Sequence, residues 1–331
     1  MSDVRIHRFT PDDVHDVASA LAISNAVGAA DAPWSHPWLP DPYDAFLRLG
    51  WDGEAPVPYL MTVDGRAVGQ GSLSLSERDN THLAWLGLGI LPEERRHGFG
   101  TMLFARLVEE ARAAGRTSVG VDGWESDRTL AFAASVGLER RSQAILRRQH
   151  LAEVERASLE KLYDEAAHAA VDYELVRVVG RTPLDMVEAM VRLASAINDA
   201  PTDDLDIEDE VFSAERLAAY EEACLRRGNR LYRLVARHTA SGALVGHTVI
   251  AVEKQRPAVA DQHDTAVARA HRGHRLGLLL KAGMLLWLAE AEPQIETVDT
   301  WNAESNDHMI SVNEALGYRW TARELQLQRS V

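Results

Sequence analysis

The six residues Arg95-Arg96-His97-Gly98-Phe99-Gly100 are matched by Arg272-Gly273-His274-Arg275-Leu276-Gly277, which lie 177 residues further along the chain. Gly69 and Gly246 are separated by the same 177 residues. In both places a β-rich run precedes the loop and a helical pattern follows it. Because a repeat has to be recognised before single elements are assigned, this stretch predicts two tandem copies of one α/β unit.

The elements around the two loops occur in one order. Each half begins with an alternating strand and a Thr-Pro-x-Asp helix start, at Thr10 and again at Thr182. There the threonine oxygen can accept an orphan amide bond, and proline loses no amide at the first helical position. A second helix and three β-rich runs lead to the loop, and a helix, a strand, another helix and a last strand pair follow it. Each copy is therefore predicted to read β-α-α-β-β-β-α-β-α-β-β.

The boundary between the copies lies in a segment rich in alanine and charge. Its leucines recur at helical spacing, so residues 151–171 are predicted to form a connecting helix between a first domain at 1–150 and a second at 172–331. The helices after the loops are expected to turn an apolar face to the core. Those core residues are Met102, Leu103, Leu107 and Ala111 in the first copy, and Leu276, Leu279, Leu280, Met284, Trp287 and Leu288 in the second.

Composition limits the classes of function. The 331 residues, 46% hydrophobic and 26% charged, are typical of a soluble globular protein. A formal net charge of −15 repels phosphate backbones and argues against nucleic acid, whereas an amine substrate or a solvated acidic surface is compatible with it. The apolar stretch 276–289 is interrupted by Lys281 and is too short to span a membrane. The single Cys224 and the absence of a signal-like run favour a cytoplasmic protein.

Each loop follows a strand and opens a helix, and this context gives it a chemical meaning. Free amides at a helix start bind anions with the positive end of the helix dipole behind them, and glycines let the backbone approach a pyrophosphate. The arginines add charge-assisted donors. Neither a Walker loop nor the Gly-x-Gly-x-x-Gly of a dinucleotide fold is present. The loops therefore predict binding of the phosphates of a coenzyme, with ATP and NAD disfavoured.

The pattern Arg-x-x-Gly-x-Gly after the fourth strand resembles the coenzyme A loop of the GNAT acetyltransferase superfamily, which has the form Gln/Arg-x-x-Gly-x-Gly/Ala. The resemblance covers nearly the whole chain, twice. It implies a mixed, mostly antiparallel central sheet flanked by helices in each domain, with an acyl-CoA, acetyl-CoA in the first place, in the splay between the fourth and fifth strands. The pyrophosphate would lie on the loop amides and the pantetheine along the fourth strand. The residues expected to bind this co-substrate are Arg95, Arg96, His97, Gly98, Phe99, Gly100, Val267, Arg272, Gly273, His274, Arg275, Leu276, Gly277 and Asn306.

The two copies match this loop pattern unequally. The first fits it in full through Arg95, Gly98 and Gly100, whereas the second has Arg275 where the pattern has glycine. That arginine could reach a phosphate, or it could crowd the site if the backbone needs a positive φ there. The tandem layout is also similar to that of mycothiol synthases, which would imply one catalytic and one degenerate half.

Acyl transfer from a thioester needs a neutral amine, so a base or a water relay must remove a proton from the ammonium form. The resemblance implies a carboxylate on the fourth strand as this base. Aligned on the loop, the second copy has Asp261 and Asp264 where the first has Ala84 and Gly87, so the carboxylates are expected in the second copy only. Strand alternation puts the two aspartates on opposite faces unless a bulge intervenes. Either can instead be an ordinary surface carboxylate.

The leaving thiolate needs a donor, which the resemblance places at a tyrosine four residues before the glycine of a later Gly-Phe/Tyr pair. The first copy has Ala133 there and the second has Asn313, which can donate a hydrogen bond to sulfur but supplies no proton. The proton would then come from water. Asn306 matches an asparagine that the family places near the pantetheine, where the first copy has Ser126, and it reads equally as a helix cap. These comparisons favour the second copy as the catalytic one and the first as a CoA-binding or structural partner.

Two segments border the acceptor side in a fold of this kind. Residues 203–210 contain six acids in eight positions, which suits a polycationic amine or a solvated loop. Residues 33–40 are rigid and aromatic and can line a pocket or cover the core. His263 and His271 are alternative bases. No Cys/His cluster has the spacing of a metal site, so no metal is expected.

The sequence therefore predicts an acyl-CoA-dependent N-acetyltransferase that acts on a primary amine of a small molecule. A non-catalytic acyl-CoA-binding or regulatory protein is the alternative, because neither copy has the donor tyrosine. Aminoacyl transfer from tRNA on a related tandem fold would need a basic groove, and the net charge of −15 argues against one. Whether the chain is a monomer with internal pseudo-symmetry or a homodimer stays open.

Overall fold

The computed structural model describes residues 3–331, which divide into two compact units. Unit 1 consists of residues 3–143, Thr202–Asp209 and Arg323–Val331, and unit 2 of Ala144–Pro201 and Glu210–Ala322. The main apolar clusters fall within single units, one between the sheet and the loop helix in each.

The secondary structure follows the predicted order in both halves. The N-terminal half contains β1 (Val4–Arg8), α1 (Val14–Asp31), α2 (Pro40–Leu49), β2 (Val57–Val63), β3 (Arg66–Leu75), β4 (Leu83–Ile90), α3 (Phe99–Ala113), β5 (Ser118–Trp124), α4 (Asp127–Ser135) and β6 (Glu139–His150). The C-terminal half contains α5 (Arg156–Ala169), β7 (Tyr173–Val179), α6 (Val187–Ala194), α7 (Ala214–Arg226), β8 (Asn229–His238), β9 (Leu244–Glu253), β10 (Val259–Val267), α8 (Leu276–Ala291), β11 (Thr297–Ala303), α9 (Asp307–Ala315) and β12 (Arg319–Ser330).

Each unit has one mixed, mostly antiparallel sheet, which confirms the predicted fold. In unit 1 the strand order is β1-β2-β3-β4-β5 followed by the end of β12, and in unit 2 it is β7-β8-β9-β10-β11 followed by the end of β6. The pairs β4/β5 and β10/β11 are parallel. The other neighbours are antiparallel. Helices α3 and α8 make the crossovers that parallel strands require.

The last strand of each half completes the sheet of the other unit. Residues 324–330 of β12 pair with 118–124 of β5, and residues 144–150 of β6 pair with 297–303 of β11. Leu325 of β12 is accordingly buried in the core of unit 1. The boundaries of the compact units therefore differ from the division into 1–150, 151–171 and 172–331. That division stays a prediction about the sequence repeat. Helix α5 lies inside the segment expected to connect the two copies.

Some local predictions are wrong. The strand pair expected at the end of each copy is a single strand, because neither β6 nor β12 contains a glycine or proline that would turn the chain. Thr10 does not cap α1, since its amide and hydroxyl both donate to Asp13. Thr182 likewise donates from its amide and hydroxyl to Glu221 of α7. In both halves a carboxylate therefore fixes the threonine before the helix begins.

The helices that follow the loops bury the predicted faces with one exception. Met102 is 45% exposed because it lies outside the stripe of α3 that its predicted partners form. All six predicted residues of α8 are buried. The opposite side of α8 is buried as well, because α5 packs there, and a Cβ on Gly283 would lie 3.1 Å from the ring of Tyr163.

Candidate active site

Two parallel strands separate in each unit, and the gap between them is a candidate cleft. Strand β4 pairs with β5 only over Leu83 to Trp85, and β10 pairs with β11 only over Val259 to Gln262. Beyond these residues β4 continues to Ile90 and β10 to Val267. Each strand then leads into its Arg/Gly loop, which consequently lies at the open end of the cleft.

The two loops share one backbone conformation, defined by two residues with positive φ. In unit 1 these are Arg96 (φ 68°) and Gly98 (φ 83°), and in unit 2 they are Gly273 (φ 86°) and Arg275 (φ 56°). Glycine and arginine thus exchange places between the copies. Gly98 and Arg275 are the N-cap residues of α3 and α8. The positive φ considered for Arg275 is present, and the loop keeps its shape without a glycine at that position.

Replacing Arg275 by glycine is expected to stabilise unit 2 by about 1 kcal/mol. A left-handed residue with a side chain costs roughly 1–2 kcal/mol, and part of that gain is lost to the greater entropy of glycine in the unfolded chain. The guanidinium lies 3.6 Å from Glu165 in a solvent-exposed pair, which contributes little. Thermal unfolding measures the change, with Arg96→Gly as the matched control in unit 1. A clear loss of stability in Arg275→Gly alone would contradict the expectation.

Arg95 and Arg272 hold the loops in place from within the fold. Arg95 donates through Nε to the carbonyl of Ile90 (3.0 Å) and through its terminal nitrogens to both oxygens of Asp31 (2.9 and 2.8 Å). Arg272 makes the equivalent bond to the carbonyl of Val267 (3.1 Å) and a second to an aspartate beyond α6 (2.5 Å). Both guanidinium groups therefore close the loop onto the last carbonyl of the strand. Phosphate binding falls mainly to the backbone and to the neighbouring side chains.

The first turns of α3 and α8 offer the groups that a diphosphate needs. The first amides of a helix have no acceptor inside it, and they carry the positive end of the dipole. A Cβ on Gly98, Gly273 or Gly277 would meet no atom within 4 Å, so the space in front of both loops is open. His97 and His274 are exposed at corresponding positions. These features fit the phosphates of coenzyme A.

Three predicted loop residues pack inside their units and can offer only backbone groups to a ligand. Phe99 packs against the core of unit 1, and a Cβ on Gly100 would lie 3.3 Å from the ring of Phe132. Leu276 is 1% exposed in the core of unit 2. A side chain at position 100 would therefore fit tightly between α3 and α4, and the ring of Phe132 would have to shift by a few tenths of an ångström.

A β-bulge in β10 distinguishes the fourth strands of the two copies. Gln262 pairs with Ile250 of β9 and Thr265 pairs with Thr248, so that two residues of β10 lie opposite one residue of β9. The pairing of β3 with β4 contains no such shift. The second copy therefore has one extra residue on this strand, and an alignment based on the loop alone fails before the bulge.

The structural counterpart of Asp261 is consequently Trp85 and not Ala84. Asp261 and Trp85 both occupy the third pair of the parallel ladder, where they lie opposite Asp299 and Gly120. The ring of Trp85 covers Gly120, since a Cβ there would lie 2.3 Å from the indole. At the apex of the cleft, unit 1 therefore has an indole where unit 2 has a carboxyl group.

Asp261 is a half-buried carboxyl beside a fixed ion pair. Arg148 donates to both oxygens of the neighbouring Asp299, at 2.7 and 2.6 Å. Burial, followed by the charges of Asp299 and Glu253, raises the pKa of Asp261 to about 7. A carboxylate with this pKa is a suitable base for an ammonium group near neutral pH.

The bulge, which is the exception that the sequence analysis allowed, brings Asp261 and Asp264 to the same face of the sheet. Asp261 pairs with Ala251, which packs against α7, and the charge of Asp264 acts on Tyr220 of α7. Asp264 has exposed surface, but most of its surroundings are protein, and this desolvation raises its pKa. His263 bonds to Tyr220 (2.5 Å), and burial lowers its pKa to about 3. Of these groups, Asp261 is the better base.

Unit 1 contains two carboxyl groups at its own cleft that the loop alignment missed. Trp85 donates through Nε1 to Asp122 of β5 (2.5 Å), and burial raises the pKa of Asp122 to about 6. Burial and the charge of Asp122 raise the pKa of Glu324 to about 7. The ring of Trp34 lies edge-on to Trp124, with centroids 5.4 Å apart. The fourth strand of unit 1 itself contains no carboxylate. Asp122 is on the fifth strand, and Glu324 enters unit 1 through the strand exchange.

The two asparagines predicted near the thioester are both engaged within unit 2. Asn313 is fully buried and donates through its side-chain nitrogen to Asn302 of β11 (2.6 Å). Asn306 is the N-cap of α9, and its side-chain oxygen accepts from the amide of Met309 (3.3 Å). The interpretation of Asn306 as a helix cap is thus observed. Because the cap uses its side-chain oxygen, its side-chain N–H groups are the ones that remain to bind a pantetheine.

The remaining candidates from the sequence are the acidic segment 203–210 and the alternative base His271. Most of the acidic segment belongs to unit 1, where Glu208 accepts from the amide of Asn80 (2.9 Å). His271 bonds to the hydroxyl of Tyr173 (3.0 Å).

Within residues 3–331 no group of three or more His, Cys, Asp or Glu side chains is arranged to hold a metal ion. None of the helices in that range is both long and apolar enough for a membrane span.

Comparisons with known proteins bear on these features. Residues 25–137 match the model of the acetyltransferase (GNAT) family. No curated protein sequence matches the chain. A solved tandem GNAT protein from the clavulanic acid biosynthesis pathway, without AcCoA, superposes with a TM-score of 0.82 and 26% identity over 99% of this chain and 98% of its own.

A more distant structure has the same fold. A GCN5-related N-acetyltransferase from Sphaerobacter thermophilus superposes with a TM-score of 0.66 and 14% identity, over 99% of this chain and 95% of its own. The similarity therefore extends over both copies of the repeat, including the half that the family model does not reach.

Proposed function

Because the chain is a tandem GNAT acetyltransferase, we propose that it transfers the acetyl group of acetyl-CoA to a primary amine of a small molecule, and that transfer takes place in the cleft of unit 2 between β10 and β11. The observation that carries this proposal is Asp261. It lies at the apex of that cleft, and its pKa of about 7 suits a base that must deprotonate an ammonium group.

In unit 2 one end of the cleft binds the coenzyme and the other end holds the base. Acetyl-CoA supplies the activated acyl group. The first-turn amides of α8 and the exposed His274 and Arg275 bind its phosphates. Asp261 removes a proton from the amine at the other end.

An amine acceptor suits the charges around Asp261. Asp264 reaches the same face of the sheet, and Glu253 is close enough to raise the pKa of Asp261. A cationic ammonium group is attracted to such a site before it loses its proton, and the net charge of −15 adds long-range attraction. The buried single Cys224 is consistent with the cytoplasmic location that we also propose.

Charge reversal at corresponding loop positions tests which unit is catalytic. His274→Glu places a carboxylate against the phosphates in unit 2, and His97→Glu does the same in unit 1. A like charge at an exposed site is expected to weaken acetyl-CoA binding to that loop by roughly tenfold. Calorimetry gives the number of sites and their affinities, and thiol release with a panel of amines gives turnover. His274→Glu is expected to reduce thiol release far more than His97→Glu, and the reverse order would place the chemistry in unit 1.

A further inference from the structure

Four buried polar side chains lie in unit 2 where α8 packs against β10, next to the point at which β10 and β11 separate. Gln262, Lys281, Asn313 and Tyr318 are each at most 5% exposed. Lys281 of α8 donates through Nζ to Oε1 of Gln262 (3.2 Å), which belongs to the last parallel pair before the strands separate. Nζ also lies 4.9 Å from the centre of the Tyr318 ring. We refer to these four side chains as the polar cluster.

Two atoms of the polar cluster have no hydrogen-bond partner among residues 3–331. They are the hydroxyl oxygen of Tyr318 and Oδ1 of Asn313. The backbone joins these two residues, because the amide of Tyr318 donates to the carbonyl of Asn313 (3.0 Å). A buried polar atom without a partner is unfavourable and calls for an explanation. A polar ligand in the cleft would supply one.

The counterparts of the polar cluster in unit 1 are all apolar. The spacing of 177 residues between the loops relates Lys281 to Phe104, strand pairing relates Gln262 to Leu86, and the glycines at 137 and 317 relate Asn313 to Ala133 and Tyr318 to Leu138. These four residues are buried in the main apolar cluster of unit 1. The same fold therefore packs without polar groups at this place.

Lys281 is consequently not explained by the needs of folding. Burial lowers its pKa to about 7, so the ammonium and amine forms are both populated at neutral pH. An ammonium group has three N–H donors. One of them is accounted for by Gln262, and this bond places the group beside the last parallel pair of β10 and β11, where the two strands begin to separate.

We propose that Lys281 gives a proton to the sulfur of coenzyme A when the thioester bond breaks. This rests on the proposed function, which puts acetyl-CoA in the unit 2 cleft. Asp261 first takes a proton from the ammonium group and releases it to water. The neutral amine nitrogen then forms the new C–N bond and passes a second proton to Asp261. The electron pair of the breaking C–S bond stays on sulfur, and the Lys281 ammonium protonates it to the thiol. The proton on Asp261 is then lost to water, and neutral Lys281 takes one up from water, so that charge and protons balance.

Lys281→Met is the variant that tests this role, because methionine fills a similar volume without a charge. We expect kcat to fall by roughly 100-fold, as for the loss of a general acid, while the KM for acetyl-CoA changes little. The alkaline decline of the pH profile of kcat/KM should disappear. Phe104→Met is the matched control at the corresponding position of unit 1, and it should leave kcat and the pH profile as in the wild type.

A second measurement needs no turnover. The thiolate of bound coenzyme A is titrated by its ultraviolet absorbance in the wild type, in Lys281→Met and in Phe104→Met. A nearby ammonium group lowers the pKa of a thiol, so the thiol is expected to ionise at a higher pH in Lys281→Met than in the other two proteins. The proposal is supported by a loss of kcat together with this shift. Wild-type kcat in Lys281→Met, or thiol titrations that coincide in all three proteins, would overturn it. Full activity of Asp261→Asn would instead reject the proposed function.

Discussion

Asp261→Asn is expected to lower kcat by roughly 10²- to 10⁴-fold, the usual contribution of a general base. Asparagine has nearly the same shape and cannot accept the proton of the amine. Under the proposed function the phosphates of acetyl-CoA bind at the other end of β10, so the dissociation constant measured by calorimetry should stay within about twofold of the wild type. A fall in affinity comparable to the fall in kcat would show that Asp261 supports the structure of the cleft and not the chemistry.

The pH dependence gives this variant a distinct signature. In the wild type, kcat/KM should rise with pH on the acid side, because Asp261, with its pKa of about 7, must lose its proton to act as a base. It should decline on the alkaline side as Lys281, the proposed acid, loses its proton. The rise should be missing in Asp261→Asn.

The free energy of unfolding of the wild type changes in the opposite direction and falls as the pH rises. The pKa of Asp261 is raised above the ordinary value of 3.8, so its contribution to the stability of the wild type is lost as the pH rises from about 4 to 7. Asp261→Asn should therefore be the more stable protein above pH 7.

Asp122→Asn is the matched control, because Asp122 is the carboxyl group with a raised pKa at the unit 1 cleft. Under the proposed function it should leave kcat and its pH profile as in the wild type. If Asp122→Asn loses activity while Asp261→Asn keeps it, unit 1 is the catalytic one. Asp264→Asn should have a smaller effect than Asp261→Asn, because Asp264 is more exposed.

The sequence predicted the loops and the order of elements because both depend on local patterns. A glycine with positive φ, a stripe of leucines and an alternating strand can each be identified within a short window of residues. The positive φ at Arg275 could only be posed as a question, because the conformation of one loop residue depends on all the residues of the loop. The arginines were expected to contact phosphates, yet their bonds to Ile90 and Val267 use carbonyl groups that no sequence pattern marks.

The parts of the site that sequence reasoning missed depend on pairing between distant segments. One extra residue in β10 aligns Asp261 with Trp85, and this bulge shows only when β9 and β10 are paired. Glu324 reaches the unit 1 cleft because β12 pairs with β5. Lys281 was read only as a break in an apolar stretch. A comparison of the two copies could have identified Lys281, because Phe104 occupies the corresponding position in α3 of the first copy.

Leu325→Ala should destabilise unit 1 by about 2–5 kcal/mol, the usual range for a leucine removed from a packed core. Leu325 is fully buried in the cluster that contains Leu103 and Leu107 of α3, although it belongs to the C-terminal half of the sequence. Hydrogen exchange resolved by peptide provides the measurement. The amides of β3, β4 and β5 should exchange faster in the variant, and those of β8, β9 and β10 should change much less.

Ile145→Ala is the matched control, since Ile145 lies in the N-terminal half but belongs to unit 2, where β6 pairs with β11. It should accelerate exchange in unit 2 and leave unit 1 nearly unchanged. The opposite pattern, in which each variant loosens the unit of its own half of the sequence, would contradict the strand exchange. Because Glu324 precedes Leu325 on β12, the same exchange makes the unit 1 cleft depend on the C-terminal strand. Leu325→Ala should therefore also weaken any binding of acetyl-CoA to unit 1, while thiol release by unit 2 continues.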